Sequence, residues 1–301
     1  MRRKLLVVLL IMLAVLCLIA FALLQCPAPG PQPEAPAPSP GVEERIPGGS
    51  GGQGDFLGQD VSVLRSMAEP LHGRDGYPVV HHAHYTVGYS TREEHPVWVA
   101  YTLTAAETKK RHKRSNQFRP DPSLPEMDVS TRDYSRTGYD RGHLAPAADM
   151  SFDKQAMLQS FYLSNVCPQL PGFNRGVWSS LEGRVRAIAW AYDSVYVVTG
   201  PLFRDTLGWI GVRRHIPVPS HFFKALLTPD LQHAVAFVLE HTSGRGANGR
   251  LDPAEQIGQG ACSIDELEAL SGLDLFPLLP DELEQRLEAQ PPDLHVWGLA
   301  D

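Results

Sequence analysis

A run of twenty apolar residues, Leu5 to Leu24, withdraws the first part of this chain from any globular core. At about 1.5 Å rise per residue, a helix of that length reaches roughly 30 Å, the hydrocarbon thickness of a bilayer. Arg2, Arg3 and Lys4 precede it. The positive-inside rule keeps such an N-terminus in the cytoplasm and sends the rest of the chain outward. The run is long for the core of a cleaved signal, and no good Ala-x-Ala cleavage site follows it. Residues 1–26 therefore read as a signal anchor, with a signal peptide as the alternative. Residues 27–70 carry alternating prolines and then Gly-Gly-Ser-Gly-Gly, a composition that buries no apolar area and reads as a linker. Residues 71–301 remain, enough for one substantial domain. This order expects a domain held at the membrane outside the cytoplasm, periplasmic or extracellular, or secreted if the segment is cleaved.

The formal net charge of −7 argues against a uniformly basic nucleic-acid binder. The charge is uneven, however. Lys109, Lys110, Arg111, Lys113, Arg114 and Arg119 cluster in one stretch, while the chain from Asp252 onward is acidic. Local field matters more than net charge for an anionic substrate. Cys167 and Cys262 are the two cysteines of the domain. Nothing in their spacing pairs them, so free thiols are favoured over a disulfide, and no Cys-x-x-Cys supports a thiolate zinc site.

Tyr85–Tyr89 and Val97–Thr104 are rich in β-branched and aromatic residues and read as a strand pair joined by a polar turn. Residues 105–137 read mostly as loop. Tyr139–His143 ends as a strand, Ser151 caps a short helix over 153–160, and Phe161–Cys167 forms a strand stopped by Pro168. Val177, Trp178, Leu181, Val185, Ile188, Ala189 and Tyr192 recur at helical spacing, which predicts one helix from Asn174 to Tyr192. Ser194–Thr199 is a strand closed by Gly200-Pro201. Ile216–Val218, His221–Leu227 and Ala234–Glu240 are three more. Ser263-x-x-Glu266 is a capping box for a helix stopped by Gly272, and a last helix spans about 280–289. The mixture lacks strict βα alternation and fits an α+β fold.

Asp140-Arg141-Gly142-His143 is the stretch that points to chemistry. A histidine titrating near 6.5 suits a general base near neutral pH. Arg141 shares its strand face and offers a planar fork to phosphate oxygens. Asp140 has the opposite parity and reads as structural. Downstream, Asn174 and Glu182 lie eight residues apart. On a regular helix they sit about 12 Å apart along the axis and roughly 80° apart around it. One can then ligate an ion directly, Asn174 at the helix start, and the other, Glu182, through a water. Oxygen ligands with retained water suit Mg²⁺.

Leu163-Ser-Asn-Val-Cys-Pro-Gln169, Asn174-Arg-Gly-Val-Trp178, Leu181-Glu182 and Thr199-Gly-Pro-Leu202 follow Asp140-Arg-Gly-His143 in order. From near His81 to about Pro280 the chain resembles the DNA/RNA non-specific endonuclease family, which includes secreted bacterial nucleases and endonuclease G. The resemblance implies a ββα-metal fold with a mixed or antiparallel sheet and flanking helices. It implies hydrolysis of DNA and RNA, with one Mg²⁺ (Mn²⁺ as the alternative) and 5′-phosphate products. It also implies His143 as general base, Asn174 as direct metal ligand, Glu182 as holder of metal-bound water, and Arg141 and Asn165 near the active centre. An upstream arginine belongs on the phosphate, and Arg114 and Arg119 compete for that place. A homodimer is compatible with the resemblance.

Two other function classes fit parts of the sequence. A membrane-tethered nucleic-acid-binding protein without catalysis needs Arg141 and the basic loop, but not His143, Asn174 and Glu182 together. A small-nucleotide phosphodiesterase has less use for the long basic loop. His81-His82-Ala83-His84 has no carboxylate or cysteine beside it in sequence, so a metal role there is not favoured. Trp98, Phe222 and Phe223 read as core.

Overall fold

The computed structural model describes residues 68–70, 76–246 and 249–299. Leu5–Leu24 and all but the last three residues of the linker lie outside them. No helix among the described residues is long and apolar enough to cross a membrane.

The β-branched and aromatic runs form strands where the pattern places them. β1 (Val79–His81), β2 (Thr86–Ser90) and β3 (His95–Thr104) form an antiparallel meander. β3 is buried on both faces. Val99, Tyr101 and Leu103 enter one core layer, and Trp98 and Ala100 the other. This parity makes β3 an interior strand, and it pairs on its far side with β6 (Ser194–Ile210) in the register Tyr101↔Val197. The sheet continues through β7 (Ile216–Leu227) and β8 (Ala234–Glu240).

Beyond β8, Arg245–Gly246 and Gly249–Arg250 pair as β9 and β10. β11 (Ala261–Cys262) completes the large sheet, whose order is β1-β2-β3-β6-β7-β8-β11, antiparallel throughout. A separate ribbon pairs β4 (Asp140–His143) with β5 (Val166–Gln169).

Helices cover both faces. α1 (Lys154–Gln159) precedes the ribbon's second strand. On one face, α2 (Ser179–Ala191) buries Leu181, Val185 and Ile188 in the layer with Val99 and Tyr101. After α3 (Pro253–Gln259), α4 (Ile264–Ser271) and α5 (Asp281–Glu288) bury Ile264, Leu267 and Leu287 in the other layer. The capping box of Ser263 and Glu266 forms as predicted, and Gly272 ends α4 at φ 69°. Ala68 is fully buried and Glu69 accepts from Thr86 Oγ1, so packing takes in residues just before Leu71.

Several boundaries differ from the sequence reading, each for a local reason. α1 is capped by Asp153, which accepts from the Gln155 and Ala156 amides, while the Ser151 hydroxyl turns back to the Ala148 carbonyl. Leu163–Asn165 is a 3₁₀ turn, and Pro168 lies inside β5. β6 runs through Gly200-Pro201. Pro201 lies just past the last β3 partner, Thr199, so the ladder to β3 loses no donor there. Gly200 is required because a Cβ would meet the Val97 carbonyl at 2.4 Å. The two strands expected at 216–218 and 221–227 are one, β7. Cys167 and Cys262 are free thiols, the first buried. Trp98, Phe222 and Phe223 are fully buried.

Candidate active site

The helix that carries Asn174 and Glu182 is not regular. It opens with a single turn at Pro171–Phe173 and passes through a π segment, Asn174–Trp178, before α2 begins. Gly176 leaves helical geometry there, at φ −105° and ψ −111°. A π turn inserts one extra residue. Eight residues then advance the helix as about seven do, roughly 700° of rotation, leaving the two side chains about 20° apart instead of 80°. Asn174 is thus not at the helix start, and it lines one cleft with Glu182.

That cleft holds about 430 Å³. His143, Arg141 and Asp140 enter from β4, Arg114 and Phe118 from the long loop, Pro146 to Ala148 from the turn after β4, and Asn174, Arg175, Ser179 and Glu182 from the helix. Gly142 is needed on the opposite side of β4, where a Cβ would meet the Gln169 side chain at 2.1 Å. The close approach is to that side chain.

Trp178 ties the helix to the strand. Its ring is fully buried between Phe173 and Phe222, and its Nε1 donates to the His143 carbonyl at 3.3 Å. Phe161 meets the His143 ring edge-on at 4.7 Å, and Phe118 lies 5.3 Å away while stacking under Arg141. His143 Nε2 is buried with no hydrogen-bond partner among the described residues. Burial, then the nearby Arg114 and Arg141, pulls its pKa from 6.5 down to about 3. The imidazole is therefore neutral.

Asp140, which reads from the sequence as structural, lines the cleft and anchors its neighbours there. Its carboxylate accepts from Asn174 Nδ2 at 2.9 Å and from the Arg175 fork at 2.8 and 2.7 Å. With its amide nitrogen held by Asp140, the Asn174 carbonyl oxygen is left available as a hard ligand. An oxygen-rich set of Asn174 and Glu182, beside a neutral His143, fits a hard divalent cation. Burial and Asp149 push the Glu182 carboxyl up, while Lys224, Arg186 and Arg114 oppose this.

Beneath Glu182 lies a network that sequence reasoning missed. Arg186 Nη1 donates to the fully buried Asp149 at 2.7 Å, and Tyr101 donates to the same carboxylate at 3.1 Å. Lys224 is fully buried on β7, over the Trp178 ring at 4.6 Å, and donates to Thr199. Arg186 could have been found as the i+4 neighbour of Glu182. Lys224 could have been found as the one charge in an apolar strand.

Two predicted residues sit elsewhere. Asn165 is fully buried, and its amide is consumed by the Ala145 amide, the Ala145 carbonyl and the Ser160 carbonyl. It clamps the turn after His143 and does not line the cleft. Arg119 lies over Tyr162 at 4.9 Å, beside α1, and Arg114 alone of the two reaches the cleft. The histidine cluster has carboxylates near it in space: Glu69 on His81, Asp121 on His82, and Glu107 and Asp153 on His84. These partners are separate and do not converge on one centre.

The comparisons agree with this geometry. Residues 67–282 match the family model described as DNA/RNA non-specific endonuclease. The chain is 36% identical over 211 residues to nuclease C1 of Cunninghamella echinulata var. echinulata, covering 65% of this chain and 81% of that protein. It is 36% identical to the mitochondrial nuclease of Saccharomyces cerevisiae, covering 66% of this chain and 65% of that one. It is 33% identical to human mitochondrial endonuclease G, covering 64% and 67%. A solved structure of an EndoG/EndoGI complex superposes with a TM-score of 0.66 at 28% identity, covering 77% of this chain and 97% of the other. The β4–β5 ribbon followed by the helix of Asn174 and Glu182 is the ββα-metal arrangement, and the chain belongs to the DNA/RNA non-specific endonuclease family of hydrolytic nucleases.

Proposed function

We propose that this protein is a Mg²⁺-dependent endonuclease that hydrolyses phosphodiester bonds in DNA and RNA and leaves 5′-phosphate ends. The observation that carries the reading is the convergence of His143, Asn174, Glu182, Arg141 and Arg114 in one cleft from three separate segments. Asn174 and, through water, Glu182 would hold the cation. When bound it supplies charge stabilisation for the phosphate and the leaving oxygen. The His143 imidazole takes the proton from a water that attacks phosphorus in line with the 3′ oxygen. Arg141 and Arg114 hold the non-bridging oxygens as negative charge grows. The P–O3′ bond breaks, and the 3′ oxygen takes its proton from a water held by Glu182. Phosphate contacts carry no base information, which suits a non-specific enzyme.

Supercoiled DNA, RNA and a dinucleotide digested side by side with Mg²⁺, with Mn²⁺ and with EDTA test this reading. The expected result is rapid cutting of both polymers with either ion, none with EDTA, slow dinucleotide turnover and 5′-phosphate ends. Binding of DNA without cutting supports the non-catalytic reading. Preference for the dinucleotide supports the phosphodiesterase reading. From the sequence of Leu5–Leu24 we further propose that the domain works outside the cytoplasm, retained at the membrane. Protease added to intact cells should digest it; protection would contradict this.

A further inference from the structure

The π segment that carries Asn174 borders a second cavity as well as the cleft. This cavity holds about 540 Å³, and Pro171, Val177, Leu251 and Pro253 give it apolar walls. Its shape depends on a close approach. A Cβ on Gly172 would meet the Ser243 carbonyl at 2.0 Å, so glycine there lets the turn at Ser243-Gly244 close against the start of the helix. The Gly244 carbonyl accepts from the Leu251 amide at 3.1 Å, which holds Leu251 in the wall. Asp252 then caps α3 through the Ala254 amide, and the first turns of α3 bring in Gln256. Gln256 Nε2 donates to the Asp252 carbonyl at 3.2 Å, leaving its Oε1 to accept.

Arg175 lines both spaces. Its side chain is 72% exposed, and Asp140 takes Nε and Nη2. That pairing fixes the plane of the guanidinium and leaves Nη1 for a further oxygen. A guanidinium between a catalytic cleft and an apolar cavity matches one chemical class, a nucleotide: a donor for the phosphate and apolar walls for the ring. Every base has an apolar ring face, so such walls add grip without reading sequence. A ring can enter only after leaving its pair and its stack. We propose that this cavity holds the base of the nucleotide joined through the phosphate next to the scissile one, with Arg175 on that neighbouring phosphate. The site then favours unpaired strands. This inference rests on the endonuclease reading above. A dinucleotide has one phosphodiester and cannot fill both places; a longer strand can.

The test uses the full chain with Mg²⁺ and single-stranded DNA: a dinucleotide, a tetranucleotide and an octanucleotide. KM should fall about tenfold from the dinucleotide to the tetranucleotide. Leu251→Asp puts negative charge into the wall at a position already 41% exposed. It should raise the octanucleotide KM about tenfold with kcat held within about twofold and Tm retained. Gln256→Ala should raise that KM about threefold. Leu278→Asp, at an exposed leucine that lines neither space, should change neither constant. Fluorescence anisotropy with the octanucleotide on the His143→Ala chain should show the same losses in affinity, and this readout needs no cleavage. Octanucleotide binding unchanged by Leu251→Asp overturns the proposal, and so does a KM that does not vary with length. A Leu251→Asp loss as large on a hairpin duplex as on the single strand overturns the preference for unpaired strands. No cleavage by the unmodified protein, with the anisotropy losses present, overturns the endonuclease reading and leaves the cavity as a nucleotide site.

Discussion

The two faces of the large sheet treat buried charge in opposite ways. On the cleft face, Asp149 and Glu182 are set against Arg186 and Lys224, with hydrogen bonds to Asp149 from both Arg186 and Tyr101. On the other face, Glu288 is surrounded by further carboxylates and has no paired cation among the described residues. The difference teaches that acidity alone does not mark the reacting centre. The cleft is distinguished by acids set against bases and by a histidine nitrogen without a hydrogen-bond partner beside them. The far face holds acids that raise one another's pKa and line no cleft with a base.

The largest expected effect breaks the cleft at its cation ligand. Asn174→Ala should lower Mg²⁺-dependent plasmid cleavage by about 1,000-fold, because several kcal/mol of charge stabilisation depend on that oxygen. Initial-rate assays at saturating Mg²⁺ check it. Next, Arg186→Ala leaves Asp149 charged and fully buried, and should cost about 3–5 kcal/mol of folding stability in urea titrations. A loss under 1 kcal/mol would show that the cleft face is not balanced as described. Asp140→Asn should be milder: it loosens Asn174 without removing it, and should raise the Mg²⁺ concentration for half-maximal activity about 10–100-fold.

The smallest effect concerns pH and should have opposite sign on the two faces. His241 donates from Nδ1 to the Pro219 carbonyl and accepts the Leu170 amide on Nε2, an arrangement open only to the neutral ring. Burial pulls its pKa from 6.5 to about 4. The unfolded state therefore takes up a proton that the folded state refuses. Stability is fully present above about 6.5 and is lost as pH falls toward 4. His143 adds to the same limb. Glu288 behaves inversely: its folded pKa lies above the unfolded one, so stability is lost as pH rises from about 4.5 toward 8. Thermal melts from pH 4 to 9 in EDTA should show both limbs, and Glu288→Gln should flatten only the alkaline one.

Much of this was readable from residues. The β-branched and aromatic residues of Val97–Thr104 identified a strand, and Ser263, Glu266 and Gly272 marked both ends of α4 because capping is local chemistry. That His143, Arg141 and Glu182 share one cleft was legible from residue type, strand parity and motif order, while their roles rest on the family resemblance. What was hidden depends on chain reversal or on phase. The π turn at Gly176 shifts every side chain after it by one place, and no composition signals it. Asp140 changed role because its partner, Asn174, lies 34 residues away in sequence. Asn165 appeared as a site residue, but its hydrogen bonds turn inward. Arg114 and Arg119 were indistinguishable until the loop between β3 and β4 was placed, since both are basic residues flanking Phe118.

The central claim is that His143, neutral and buried beside the cation ligands, removes the proton from the attacking water. Supercoiled plasmid incubated in Mg²⁺ with the full chain carrying His143→Ala tests it most directly, with plasmid binding and thermal melting measured on the same sample. The account predicts a fall in cleavage of about 1,000-fold or more with binding and Tm retained. Cleavage at the unmodified rate would contradict it.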